Sequence, residues 1–151
     1  MLELAVETDR EAVNRLACQV HAMHVGWLPD IYEMPREMYP PERFREAIAE
    51  RSLYVARLHS AVVGYVSLKI RNYDSPGLVK RKVLLIDEIA VEETLRGQGI
   101  GTEMMGDVRA LARAFGCTDL QLGVYPQNDA AVAFYRKCGF TVRSIEMQRK
   151  L

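Results

Sequence analysis

Apolar positions along the first half of the chain recur at two different spacings. Residues 2–7 alternate apolar and polar, as a strand with one buried face does. Thr8, with Glu11 three residues later, makes a capping-box pattern. Behind it Val13, Leu16, Ala17, Val20 and Met23 recur every three or four positions until Gly26 and Pro29 break the period, which predicts a helix with one core-facing stripe. Residues 27–39 carry no period and read as an irregular loop. Pro40 and Pro41 open a short helix bearing Phe44, Ala47 and Ile48. Residues 53–57 and 62–71 read as two strands joined tightly around His59 and Ser60, an antiparallel pair. After a turn-rich stretch over 72–80, residues 83–91 form the most apolar strand of the chain.

The second half alternates strand and helix. A glycine-rich stretch over 96–101 leads into a helix whose Met104, Met105, Val108, Leu111, Ala112 and Phe115 share one face, with Gly116 as its C-terminal cap. Leu120, Leu122 and Val124 alternate as a strand, Asn128 is a good N-cap for a helix through Arg136, and Gly139 releases the chain into a final pair of short strands. An antiparallel start followed by alternating helices and strands predicts a mixed sheet with helices on its faces, an α/β (α+β) domain.

With 151 residues the chain is expected to form a single domain over 1–151. Twenty basic residues balance twenty acidic ones, so there is no overall positive field to hold nucleic acid or an anionic membrane, and neither is expected as a partner. There is no run of about 18 apolar residues. The beginning of the sequence does not read as a signal peptide, and the three cysteines, Cys18, Cys117 and Cys138, show no metal-ligand or disulfide spacing, so a cytoplasmic location is expected. His21 and His24 stand one helical turn apart but no third ligand is visible, so no metal is expected.

The junction Arg96-Gly97-Gln98-Gly99-Ile100-Gly101, between an apolar strand and an amphipathic helix, can curl successive N–H groups into one concavity at a helix N-terminus, where a pyrophosphate would sit. It can equally be a tight turn that needs glycine only for its backbone angles. It is not a Walker loop, since Gly101 is followed by Thr102-Glu103, and the GxGxxG pattern fails at Thr102. Asp87 and Glu88 interrupt the apolar strand, an expensive place for carboxylates unless they reach a cleft, a partner or water. Strict alternation sends the two to opposite faces unless a bulge realigns them.

Two motifs in this order carry a family resemblance. Arg96-x-x-Gly99-x-Gly101 resembles the [QR]-x-x-G-x-[GA] signature of the GNAT acetyltransferases. Asn128-x-x-Ala131-x-x-Phe134-Tyr135-x-x-x-Gly139-Phe140 is similar to that family's downstream segment. The first 80 residues fit by layout rather than by motif. The resemblance implies a mostly antiparallel sheet with a splayed parallel strand pair, and an enzyme that moves acetyl from acetyl-CoA, as co-substrate, to a primary amine by direct attack in a ternary complex. The acceptor would be a small cationic amine or a peptide or protein amine.

The same resemblance puts the pyrophosphate on Arg96, Gly97, Gln98, Gly99, Ile100, Gly101 and Thr102, and the pantetheine arm against the backbone of Ile89, Ala90 and Val91. Asn128 corresponds to a pantetheine-contacting asparagine, with simple N-capping as the alternative. Tyr135 corresponds to the general acid that serves the departing CoA thiolate, with core packing as the alternative. Glu88 first and Asp87 second correspond to acidic residues that attract or deprotonate the amine, with a structural ion pair as the alternative. His21, His24, Trp27, Asp30 and Tyr32 fall where such proteins place a segment closing over the acceptor, with a plain surface or core role as the alternative for either histidine. A homodimer is in keeping with the family. A competing reading is a non-catalytic acyl-CoA-binding sensor or interaction module.

Overall fold

A computed structural model describes residues 1–151. Five strands, β1 (Leu2–Leu4), β2 (Leu53–Leu58), β3 (Ala61–Tyr73), β4 (Arg81–Val91) and β5 (Asp119–Leu122), form one sheet in sequence order. The first four are antiparallel neighbours and only the β4–β5 pair is parallel. Helices α1 (Arg10–Trp27) and α2 (Pro41–Ala49) cover one face; α3 (Ile100–Ala114) and α4 (Asp129–Lys137) lie on the other. The mixed, mostly antiparallel sheet agrees with the architecture expected from the sequence.

Each face has its own core. Val13, Leu16 and Ala17 of α1, the stripe expected from the spacing, pack with Tyr39, Phe44, Val55, Tyr65 and Ala90. Met104, Met105, Val108 and Ala112 of α3 pack with Val66, Leu68, Leu84 and Ile86. Full burial of such a side chain contributes about 1.5–3 kcal/mol. At Gly64 the α3 layer and strand β4 both come close: a Cβ would stand 2.8 Å from the Ala90 carbonyl oxygen and 2.9 Å from the Met104 sulfur.

Three local expectations are corrected. Thr8 does not cap α1: residues 7–9 form a 3₁₀ turn, and Asp9, nearly fully buried, accepts from the Val6 N–H and the Arg57 guanidinium. A buried carboxylate with a cationic partner outweighs a hydroxyl cap that solvent can replace. The strand expected over 120–124 stops at Leu122. The final pair of strands does not form: residues 141–151 take no helix or strand and are exposed throughout.

Candidate active site

The chemistry of the sheet centre is set by one irregularity. β3 and β4 pair Ser67 with Glu88 and Leu68 with Ile86, so Asp87 is an extra residue, a β-bulge. Parity inverts across it. Leu84 and Ile86 face α3 before the bulge and Ile89 and Val91 face α3 after it, while Glu88 and Ala90 turn towards α1 and α2. Strict alternation would have separated the carboxylates by face. Instead both meet side chains from one side of β3: Asp87 pairs with Lys69 Nζ at 2.7 Å and Glu88 accepts from the Tyr65 hydroxyl at 3.0 Å.

Glu88 has two more donors, Tyr39 Oη at 2.6 Å and Arg43 Nη2 at 2.9 Å. Arg43 also stacks over the Tyr39 ring, 4.2 Å from its centroid. Burial, and then the charge of Glu88, push the Tyr39 phenol upward, and the same causes in the same order raise Tyr65. Both phenols therefore stay protonated and can only donate to the carboxylate. The ion pairs weighed as the alternative for Asp87 and Glu88 are present, with Lys69 and Arg43 as cations. Glu88 nevertheless remains partly open, its side chain 24 % exposed.

Beside Glu88 lies an aromatic group built from three chain segments. His24 of α1 packs 5.6 Å from Tyr32 and 5.4 Å from Tyr125, centroid to centroid, and Trp27 lies 5.8 Å from His24. The Tyr32 and Tyr125 hydroxyls share a hydrogen bond, which, with some burial, pushes Tyr125 up to about 12. His21 donates from Nε2 to the Glu33 carbonyl oxygen, 2.8 Å away. Burial, reinforced by His21, lowers the His24 pKa against an opposing pull from Glu88, so this imidazole is neutral near pH 7. No group of three or more His, Cys, Asp or Glu side chains could hold a metal ion.

On the opposite face the parallel pair opens. β5 accompanies β4 only from Val83 to Ile86, so residues 87–91 of β4 have no strand neighbour on that side. The short length of β5 creates this gap. At its end come Gly97 and Gly99, with φ of 78° and 90°, angles that favour glycine. None of the backbone N–H groups of residues 97–102 donates to a protein acceptor; the ladder of α3 begins with Glu103 N–H on the Gly99 carbonyl. Arg96 is exposed and bonds the Val91 carbonyl oxygen through Nε at 3.2 Å, so its side chain closes the corner between β4 and the loop.

Asn128 does act as the N-cap of α4, accepting from the Ala131 N–H at 3.2 Å. Tyr135 lies half-buried between Phe134 and Phe140, at 5.4 and 5.9 Å between centroids. Desolvation, and secondarily Cys138, push its phenol up to about 12, so it is a proton donor at any physiological pH. These residues suit a ligand that carries a pyrophosphate and an amide-rich arm: free N–H groups at a helix N-terminus for the first, unpaired β4 backbone for the second, with the protonated Tyr135 phenol on the same face as α3.

Comparison with known proteins shows the family. The model of the acetyltransferase (GNAT) family matches residues 22–140, and the chain belongs to that family. An uncharacterized N-acetyltransferase of Methanocaldococcus jannaschii is 31% identical over 96 residues, 64% of this chain and 42% of that protein, so the match spans under half of that relative's length. The structure of an F44R mutant of the BH1408 protein of Bacillus halodurans is 28% identical, with a TM-score of 0.95 over 100% of this chain and 99% of that one. The aminoglycoside N-acetyltransferase AAC(6')-Iy, solved in complex with CoA, shares the fold with a TM-score of 0.65 at 16% identity over the whole of both chains.

The motifs singled out Arg96, Gly99, Gly101, Asn128 and Tyr135 as candidates. Tyr39, Arg43, Tyr65 and Tyr125 were not foretold. They come from a loop, α2, β3 and the turn after β5, and only the fold brings them together. The one signal was Tyr65, an aromatic facing the same side of β3 as Ser67 and Lys69 in the strand pattern.

Proposed function

We propose that this chain is an N-acetyltransferase that uses acetyl-CoA and works on a primary amine. The observation that carries this reading is the opening between β4 and β5 beyond Ile86, which exposes β4 backbone between a glycine nest on one face and the Glu88–His24 group on the other. Acetyl-CoA supplies the activated acyl group when bound. The N–H groups of residues 97–102 hold its pyrophosphate with Arg96 beside them, and the backbone of Ile89, Ala90 and Val91 receives the pantetheine arm as a neighbouring strand would. Asn128 shapes the end of the gap by fixing the start of α4.

The acceptor enters from the α1 and α2 face, over Tyr32, Tyr125 and Trp27, whose rings attract a cation. The amine has to lose its proton to attack. Glu88, or the neutral His24 imidazole near it, receives that proton, and Asp87 is the second carboxylate in line. Tyr135 keeps a proton for the sulfur that leaves. Direct attack needs no nucleophile from the protein, and both faces of the sheet are used at once, in a ternary complex. The acceptor is a small cationic amine or an amine of a peptide or protein.

The experiment is CoA-thiol release by the purified protein with acetyl-CoA and a panel of polyamines, amino sugars and peptides. Turnover that needs an amine and falls at least about tenfold in Glu88→Gln is the expected result. Tight acetyl-CoA binding with no turnover on any amine would overturn it in favour of a non-catalytic acyl-CoA-binding module.

A further inference from the structure

We propose that the acceptor is a free α-amino acid, its amine held by Glu88 and its carboxylate by Arg43. This inference rests on the acyl-transfer reading above and narrows it to one class of amine. It comes from what the hydrogen bonds around Glu88 use up and what they leave over.

Glu88 Oε2 accepts from both the Tyr39 and the Tyr65 hydroxyl, which fills that oxygen. Oε1 accepts only from Arg43 Nη2 and keeps a lone pair for another donor. The guanidinium is likewise half used. It gives one N–H to Glu88 and one, from Nη1, to the Met38 carbonyl oxygen, while Nε–H and the other Nη hydrogens have no acceptor in the chain. Stacking on the Tyr39 ring covers one face of the guanidinium and leaves its edge free, and Tyr39 is itself buried, so the plane of the fork is set. Both charged side chains reach solvent, at 24% exposure for Glu88 and 44% for Arg43. An open carboxylate lone pair and open cationic N–H groups therefore stand side by side, carried by atoms 2.9 Å apart. An α-amino acid presents the complement, an ammonium group and a carboxylate on the same carbon.

The charge balance argues against the other acceptors. Arg43 neutralises Glu88, and Lys69, 2.7 Å from Asp87, neutralises the second carboxylate at the bulge. A polyamine would bring further positive charge to a place with no net negative charge left, beside a fixed guanidinium. A peptide N-terminus carries an amide where the amino acid has its carboxylate, and a neutral carbonyl takes a weaker hydrogen bond from the fork. With an amino acid bound, four charges alternate: Glu88, the ammonium group, the carboxylate and Arg43. The amine then lies on the same carboxylate oxygen that receives its proton, and Arg43 sets which molecules reach that position.

The test is CoA-thiol release from acetyl-CoA with the common α-amino acids, each beside its amide and the matching amine that lacks the carboxylate, and with spermidine. The proteins compared are the wild type, Arg43→Gln and Arg43→Lys. The wild type should favour at least one amino acid over its amide and its matching amine by about tenfold or more in kcat/KM, chiefly through KM. That ratio should fall to near unity in Arg43→Gln, and Arg43→Lys, which keeps the charge without the fork, should retain part of it. A purely structural Arg43 would lower all members of a set alike and leave the ratio unchanged, which would overturn the proposal. So would a wild type that acetylates spermidine or the matching amines as well as any amino acid, an outcome that leaves the acetyltransferase reading standing. Where no acceptor is turned over, calorimetry of the amino acids on the protein in the presence of CoA decides. Binding that is lost in Arg43→Gln would uphold the amino acid site and overturn acetyl transfer, and no binding would overturn the site as well.

Discussion

Tyr135 and His24 are two side chains whose protonation the fold shifts in opposite senses. Tyr135 is kept protonated by burial, with a pKa of about 12. Its replacement by Phe preserves the ring that packs between Phe134 and Phe140 and removes only the acid. The expected result is a fall of about 10²–10⁴-fold in kcat with little change in CoA affinity. Turnover equal to the wild type would remove Tyr135 from the reaction. His24 is kept neutral, mainly by burial. Its folded pKa lies below the unfolded value of 6.5, so the unfolded chain binds more protons as pH falls through 6.5, and stability declines over that window on the acid side. Thermal melts between pH 7.5 and 5, values of the order of the histidine range, should show a smaller acid loss in His24→Gln than in the wild type. At this scale the sequence was legible where a motif fixes spacing, as at Tyr135, Asn128 and Gly99. It was not legible at Tyr39, Arg43 and Tyr125, because nothing local marks side chains that meet only across the sheet.

Among the elements, β4 depends on a residue that does not fit its period. The bulge at Asp87 lets one strand send Leu84 and Ile86, then Ile89 and Val91, to the α3 core while turning Glu88 towards α1 and α2. The apolar run was readable as a strand, but a bulge has no composition signal, and the face of Glu88 was therefore open until the register was seen. Two substitutions test the element packing. Gly64→Ala places a methyl group 2.8 Å from the Ala90 carbonyl oxygen, and because backbone cannot yield as a side chain does, it should cost about 1–3 kcal/mol in denaturant unfolding. Asp9→Ala removes the buried one of the two carboxylates paired with Arg57, leaving Glu3, and leaves the Val6 N–H without its acceptor at the join between β1 and α1. It should cost about 3 kcal/mol, the lower end for breaking a buried pair, since Arg57 retains some contact with water. A loss below about 1 kcal/mol, the range of an exposed ion pair, would show that the join does not rest on Asp9.

For the molecule as a whole, the helix stripes, the antiparallel hairpin and the alternating second half all appear in the sheet order, because each element's periodicity matches the face it buries. Two of the three places that departed are at the β5 edge. Val124 continues the strand pattern, yet the strand ends at Leu122 and Gly123 leads the chain away from β4. Residues 141–151 have a strand's alternation and find no neighbour within the chain. Strand pattern reports a capacity to pair, and the neighbour that realises it is a property of the assembled sheet. With a formal net charge of zero, the molecule has no global field to draw in an anionic cofactor, so binding has to come from the local N–H concavity at α3.

That concavity is tested most directly by calorimetry of acetyl-CoA with the wild type and with Thr102→Glu. Thr102 is exposed in the first turn of α3, where an acidic side chain favours the helix by about 0.3–1 kcal/mol, so the variant should fold at least as well as the parent. In the proposed complex the same charge would face the pyrophosphate. Micromolar binding by the wild type, weakened about tenfold or more in a variant whose melting temperature is not lower, is the predicted result. No binding by the folded wild type, or equal binding by both proteins, would contradict it.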